Sequence, residues 1–241
     1  MNRIALLLAA GVLLAACDNQ PAQPEPPADN EAAESDATPD STGATAPTGV
    51  ALEQSPQDLF LARIADHCGR AYEGRIIANE PAQDEDPFEG ERLVMHVREC
   101  SDDEVKIAFH VGEDHSRTWV ISRVAEGVEG MEGLRLAHDH RTEDGNPAET
   151  TMYGGDTASM GSSTRQEFPV SEESKAMFEA GDMAVSTSNT WAVEIEPDRF
   201  LYELTRPEGR MFQVEFDLTK PVELPPAPWG HELTKVPTRP G

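Results

Sequence analysis

Hydrophobic and polar residues alternate along most of the chain after residue 93, with the period of two that is typical of half-buried strands. The clearest example is residues 93–98 followed by residues 104–111, which are separated by the turn-forming residues Ser101, Asp102 and Asp103. This arrangement predicts an antiparallel hairpin. The same alternation predicts strands at residues 119–121, 134–140, 151–153, 164–168, 191–195, 200–204 and 212–218.

Two shorter segments have the pattern of helices. Ser55 followed by Pro56 is typical of a helix N-terminus, and the apolar residues that follow recur at helical spacing. Gly69 is suited to end this helix, which we expect over residues 56–67. A second helix is expected over residues 172–178, after Ser171.

About ten short strands joined by near-neighbour turns must bury one common face. A closed or nearly closed antiparallel β-barrel does this without exposed sheet edges. A two-layer β-sandwich is the alternative, because periodicity does not separate the two. The predicted fold class is therefore mainly β, with two short helices. The residues expected in the core are Met95, Ile107, Phe109, Trp191, Val193, Phe212, Val214 and Phe216.

The first residues have the pattern of a bacterial export signal. Arg3 supplies a positive charge, and an apolar run from Ile4 to Leu14 follows it. A membrane-spanning helix needs about 20 apolar residues, so this run is too short to be one. We therefore expect residues 1–16 to be a signal peptide that is removed from the mature protein.

The residues that close this run, Leu14, Ala15, Ala16 and Cys17, resemble the lipobox of bacterial lipoproteins. The resemblance implies cleavage before Cys17, a diacylglyceryl thioether on its sulfur and an acylated new amino terminus. Such chains anchor a protein in a bilayer, since each buried CH₂ contributes roughly 0.8 kcal/mol. The alternative is an ordinary signal peptide cut after Ala16, with Cys17 unmodified. Asp18 resembles the signal that keeps lipoproteins of enteric bacteria in the inner membrane, which favours the periplasmic face of that membrane.

Composition divides the rest of the chain into a linker, a domain and a tail. Residues 17–54 contain no Lys or Arg and are rich in Pro, Ala and acidic residues, so we expect a disordered tether behind the lipidated cysteine. As a random coil it would reach roughly 35 Å. Residues 55–230 are long enough for one domain with its own core, and the Pro-rich residues 231–241 are expected to form a flexible tail.

The net charge of −26 argues against binding of nucleic acid and against electrostatic docking on anionic lipid.

Besides Cys17, the chain has two cysteines, Cys68 and Cys100. In the oxidising cell envelope, a disulfide between them is the natural interpretation. The alternatives are two buried free thiols or a metal-binding pair.

Three stretches resemble lipocalin-like (calycin) barrels and an uncharacterised family of secreted proteobacterial proteins. They are residues 88–92, residues 152–157 and residues 225–230. The resemblance implies a barrel between Cys68 and Gly230 and no activity. The Gly-x-Trp signature of true lipocalins is replaced by Ala71, Tyr72, Glu73 and Gly74, which leaves their ligand pocket open to question.

Candidate chemistry is sparse, because the sequence contains no Walker loop, dinucleotide fingerprint, HExxH or GxSxG motif. His138 and His140 lie two residues apart on a predicted strand, so their side chains share a face, and two imidazoles on one face can share a metal. A third ligand could come from His110, His115 or Asp156. The interpretation we favour is a frayed strand end, with both rings bound to water or to acidic neighbours such as Asp139 and Glu143.

We also expect Gly154 and Gly155 to form a turn that is capped by Asp156. The alternative is that this bend holds Asp156 and Thr157 near the barrel mouth.

Three hypotheses for function follow. The leading one is a membrane-anchored, non-enzymatic binding module for a small apolar ligand or an envelope partner, without a cofactor. The second is a structural or assembly lipoprotein that docks another envelope protein. The third is a metal-assisted hydrolase that uses His138 and His140.

Overall fold

The alternating segments form antiparallel strands in the computed structural model, which describes residues 54–82, 87–125, 127, 130 and 132–231. The signal peptide, Cys17, Asp18, the linker up to residue 53 and tail residues 232–241 lie outside the described residues. Within the described part, ten strands form one sheet. Their bounds are β1 (Arg70–Glu80), β2 (Leu93–Cys100), β3 (Glu104–Val111), β4 (Asp114–Val124), β5 (Gly133–His140), β6 (Tyr153–Asp156), β7 (Arg165–Pro169), β8 (Thr190–Glu196), β9 (Arg199–Thr205) and β10 (Met211–Val222).

The sheet curls into a nearly closed barrel. Its strand order is β6-β5-β4-β3-β2-β1-β10-β9-β8-β7, so β6 and β7 are the two edges. These edges meet, because the backbone N–H of Ser171, just after β7, donates to the carbonyl of Gly154 at 2.9 Å. The N–H of Gly154 in turn donates to the Ser174 hydroxyl at 2.8 Å. The barrel is therefore confirmed in preference to the sandwich.

Both predicted helices are present. They are α1 (Pro56–Ala65) and α2 (Glu172–Ala180), and a 3-10 helix (Ala184–Ser188) follows α2. A reciprocal capping box starts α1, since the Ser55 hydroxyl accepts from the Asp58 N–H while Asp58 accepts from the Ser55 N–H. Helix α1 buries Phe60, Leu61 and Ile64 against the barrel. Asp58 also forms an ion pair of 2.6 Å with Arg123 at the end of β4, so α1 covers one end of the barrel.

The core lies inside the barrel, where the residues predicted to be buried are all found buried: Met95, Ile107, Phe109, Trp191, Val193, Phe212, Val214 and Phe216. The predicted disulfide is also confirmed. Cys68 and Cys100 are bonded, with their Cα atoms 6.2 Å apart, and they tie the segment after α1 to the end of β2. A crosslink of this separation stabilises a domain by roughly 3–4 kcal/mol in the loop-closure model.

One strand was not predicted, and two local predictions are corrected. The alternation did not predict β1, whose Gly74 stands where the ring of Phe216 packs; a Cβ there would lie 2.5 Å from that ring. The strand predicted at 151–153 begins at Tyr153, because the Thr151 hydroxyl accepts from the His140 N–H and Met152 has a φ of 58°. Gly154 and Gly155 form no turn and lie inside β6.

A C-terminal segment packs on the outside of the barrel as far as His231. The N–H of Trp229 donates to the carbonyl of His115 at 3.0 Å, and His231 lies 3.1 Å from the carboxylate of Asp139. Residue 231 was predicted to begin the flexible tail, but its side chain contacts the sheet. The ordered segment therefore extends at least to His231.

Candidate functional site

A cavity of about 400 Å³ opens into the barrel at the end opposite α1. The antiparallel register places the start of β6, the end of β9 and the start of β10 at this end. Eight of the nineteen lining residues are aromatic, and six of these point inward from strands, in which alternate residues share a face. The aromatic lining residues are Phe88, Phe109, Trp119, Tyr153, Phe178, Trp191, Tyr202 and Phe212.

Trp119 of β4 lies at the centre of this aromatic lining. Its indole stacks on Tyr202, with ring centroids 4.4 Å apart and planes within 9° of parallel. On another side it stacks on Phe109, with centroids 4.7 Å apart. The stack fixes the orientation of these rings and gives the cavity a flat apolar wall.

His138 of β5 is buried beside this wall and is fully hydrogen-bonded. Its Nδ1 lies 3.1 Å from the carbonyl oxygen of Tyr153, so Nδ1 carries the proton and donates. Its Nε2 lies 2.7 Å from the Tyr202 hydroxyl, which therefore donates to the Nε2 lone pair. Burial lowers the pKa of His138 to about 3, so the ring is neutral near pH 7.

His140 lies one step closer to the mouth and contacts Tyr153. Its Nε2 is 3.2 Å from the hydroxyl of Tyr153. Burial, and then the charge of Arg117, lower the pKa of His140 to about 4. Burial also raises the pKa of Tyr153 to about 12, so this pair is neutral near pH 7.

The prediction that the rings meet water at a frayed strand end is therefore wrong for His138, whereas His140 is the last residue of β5 and is partly exposed. His138 is only 4% exposed and bonds to Tyr202 and Tyr153 in place of Asp139, Glu143 or water. The geometry also disfavours the hydrolase hypothesis, since the Nε2 lone pair that a metal would need already accepts a hydrogen bond. Among the described residues, no cluster of three His, Cys, Asp or Glu side chains is arranged to hold a metal ion.

Residues 154–157, a second candidate, are also placed differently from both interpretations. Gly154 and Gly155 are needed for close approach, because a Cβ on either would lie 1.8 Å from a backbone oxygen, of Leu136 and Pro169 respectively. Asp156 binds Arg135 at 2.6 Å. Thr157 is buried and accepts a hydrogen bond from Gln57 of α1, so it lies at the closed end of the barrel and not at the mouth.

Cationic side chains complete the lining of the cavity. They are Arg117, Arg206 and Arg210, of which Arg117 binds Asp114 at 2.5 Å and lies over the ring of Phe88. Sequence patterns did not predict these arginines as part of a site. Arg206 and Arg210 flank the turn at Glu208 and Gly209. The pairing of β9 with β10 places this turn at the mouth of the barrel.

No protein-family model matches the chain, and no curated protein matches it. A redesigned β-barrel is similar over 64% of this chain and 94% of its own, at 10% identity and a TM-score of 0.27. This similarity is too low to support an argument, so the fold rests on the sheet itself.

Neither α1 nor α2 is long and apolar enough to cross a bilayer, and the described residues contain no other helix that is.

Proposed function

We propose that this chain is a membrane-anchored envelope lipoprotein whose barrel is a non-enzymatic binding module for a small, largely apolar ligand. The observation that carries the proposal is the aromatic cavity of about 400 Å³ at the open end of the barrel. Small-molecule sites are typically cavities of about 300–1,000 Å³ with apolar walls and a few placed polar groups. Here the wall is the stack on Trp119, and the polar groups include His138, His140 and the mouth arginines.

The lipobox at Cys17 and the acidic, Pro-rich residues 18–54 support the membrane-anchored part of the proposal. In this arrangement the lipid would hold the protein at the membrane surface while the tether lets the barrel sample ligand nearby. A ligand that leaves or enters a membrane is apolar and therefore sparingly soluble in water. An aromatic cavity binds such a ligand because it removes the apolar surface from water.

The binding proposal is tested with N-phenyl-1-naphthylamine, an uncharged dye that fluoresces in apolar surroundings. The contacts of the chain divide it into residues 1–49 and residues 50–241, and the described core, the disulfide and the cavity all lie in the second unit. That unit is therefore expected to fold alone, and it avoids detergent, which would compete for the cavity. We expect saturable binding of one dye per barrel.

A pair of neighbouring substitutions locates the dye. Thr150 lines the cavity from the β5–β6 connection, whereas Glu149 beside it is exposed and does not line it. Thr150→Trp should fill part of the cavity and weaken binding about tenfold or more, a change of about 1.4 kcal/mol. Glu149→Trp should leave the affinity unchanged. Absence of saturable binding, or equal effects of the two substitutions, would contradict the proposal.

A further inference from the structure

We propose that the ligand of the aromatic cavity carries an anionic group, such as a carboxylate, and that Arg206 binds this group at the mouth. This inference rests on the proposed binding function and specifies its ligand class. It concerns one side chain, which follows β9 directly, and the residues that hold it in place.

Arg206 is held by neutral groups. Its Nε donates to the side-chain oxygen of Asn189 at 2.6 Å, and its Nη2 lies 3.5 Å from the hydroxyl of Ser186. Asn189 is itself buried, so the contact fixes the guanidinium against a rigid support. These bonds orient the group without neutralising it, which leaves donors on the two terminal nitrogens for a ligand.

The charge of Arg206 is not balanced by an ion pair within the described part of the chain. The carboxylate of Asp114 binds Arg117, but among the described residues none lies within 4.0 Å of Arg206. Burial, and then the neighbouring charge of Arg210, lower the pKa of Arg206, while the charge of Glu208 opposes them. A half-buried cation without an ion pair is stabilised when an anion binds.

The position of Arg206 beside an aromatic cavity determines which class of ligand the site favours. The chain has a net charge of −26, so a free anion is repelled by most of its surface. Arg206 faces the same cavity as Trp119 and Trp191, which bind apolar groups. An anion with an apolar tail satisfies both features, whereas an inorganic anion or a neutral hydrocarbon satisfies only one. The favoured ligand is therefore a small acidic amphiphile.

Displacement of the bound neutral dye from the unaltered barrel unit gives the first test. Decanoate and 1-decanol have the same chain length and differ in the head group. We expect decanoate to displace the dye at about one tenth of the concentration that decanol requires, which is the ratio for one charge-assisted hydrogen-bonded contact. Sodium acetate at equal ionic strength should not displace it. Equal potency of decanoate and decanol would overturn the inference and leave the proposed function standing.

Substitution of Arg206 assigns the preference to one residue. Arg206→Gln should abolish the advantage of decanoate over decanol, a ratio of two potencies in which any change of dye affinity cancels. Arg206→Lys keeps the charge and should retain part of the advantage. Arg63→Gln makes the same change of charge at an exposed position of α1, at the closed end of the barrel. It should leave the potency of decanoate relative to decanol unchanged. A decanoate preference that survives Arg206→Gln would overturn the assignment, whereas failure of the unaltered unit to bind dye would refute the binding function itself.

Discussion

The hydroxyl of Tyr202 donates a hydrogen bond of 2.7 Å to Nε2 of His138, and this bond joins β9 to β5, which are not neighbours in the sheet. Trp119 stacks on the same tyrosine. One buried polar contact therefore holds two walls of the barrel at a fixed distance beside the cavity. The contact also sets the tautomer of His138, because the Nδ1 proton is engaged by the carbonyl of Tyr153.

Removal of this hydroxyl should destabilise the barrel. Tyr202→Phe leaves the Nε2 lone pair of His138 buried without a donor, which costs about 1–3 kcal/mol in the free energy of unfolding. Urea unfolding of residues 50–241 measures the change. The double variant His138→Leu, Tyr202→Phe removes both partners and should be less destabilised than the sum of the single variants. Additive losses would show that the two side chains do not interact.

Acid should weaken the fold through His138. Its pKa is about 3 when folded, below its ordinary value of 6.5, so the unfolded chain binds a proton between these values that the folded chain does not. The free energy of unfolding therefore falls as pH falls from about 6.5, by about 1.4 kcal/mol per pH unit for each such group. Burial lowers the pKa of His96 to about 4 and of His110 to about 3, and these residues add to the slope.

Urea unfolding from about pH 6 to about pH 4.5 isolates the contribution of His138. The variant His138→Gln should have a slope smaller than the parent by about 1.4 kcal/mol per pH unit, since Gln does not titrate. The carboxylates and the other histidines are the same in both proteins and cancel in the comparison. Parallel pH profiles would mean that His138 is protonated equally in the folded and unfolded states.

The seam between β6 and β7 should depend on Gly155. A Cβ at this position would lie 1.8 Å from the backbone oxygen of Pro169, so Gly155→Ala forces the two edges apart. Overpacking of this kind costs about 3 kcal/mol. Gly181→Ala is a matched control, because its Cβ makes only contacts of 3.4 Å or longer. Thermal unfolding should show a loss for Gly155→Ala and little change for Gly181→Ala; similar midpoints would contradict a closed seam.

Alternation predicted the strands whose inward residues are hydrophobic, such as Met95 on β2 and Val214 on β10. It missed β1, where Gly74 replaces an inward side chain so that Phe216 can pack. It also misjudged Gly155, because a glycine that allows close approach and a glycine that bends the chain look the same in a sequence. The disulfide was predictable because Cys68 and Cys100 were the remaining pair.

The cavity was less predictable than the fold. The partner of His138 is Tyr202, which lies 64 residues away, and local spacing contains no information about a contact of that range. Arg206 lies beside a surface turn, where cations are ordinarily solvated. Asn189 comes against it through the pairing of β8 with β9, in which Thr190 lies opposite Thr205, and this register is not visible in the local pattern around Arg206.

Lipidation should depend on Cys17. The lipobox resemblance predicts that the full chain, expressed in a bacterial host, incorporates a fatty-acid probe and fractionates with membranes. Cys17→Ala should abolish the label and leave precursor or unlipidated protein, whereas Ala16→Gly keeps a small residue before the cysteine and should retain the label. A native chain that carries no lipid label would contradict the anchor.

The crystal structure of residues 50–241 grown with decanoate tests the binding proposal most directly. We predict one decanoate per barrel, with its chain against Trp119 and Trp191 and its carboxylate within hydrogen-bond distance of Arg206, at about 2.7–2.9 Å. A chain in the cavity with its carboxylate elsewhere would contradict only the role of Arg206. A cavity that holds no decanoate at saturating concentration, or that is closed by its own side chains, would contradict the account of this protein as a binding module.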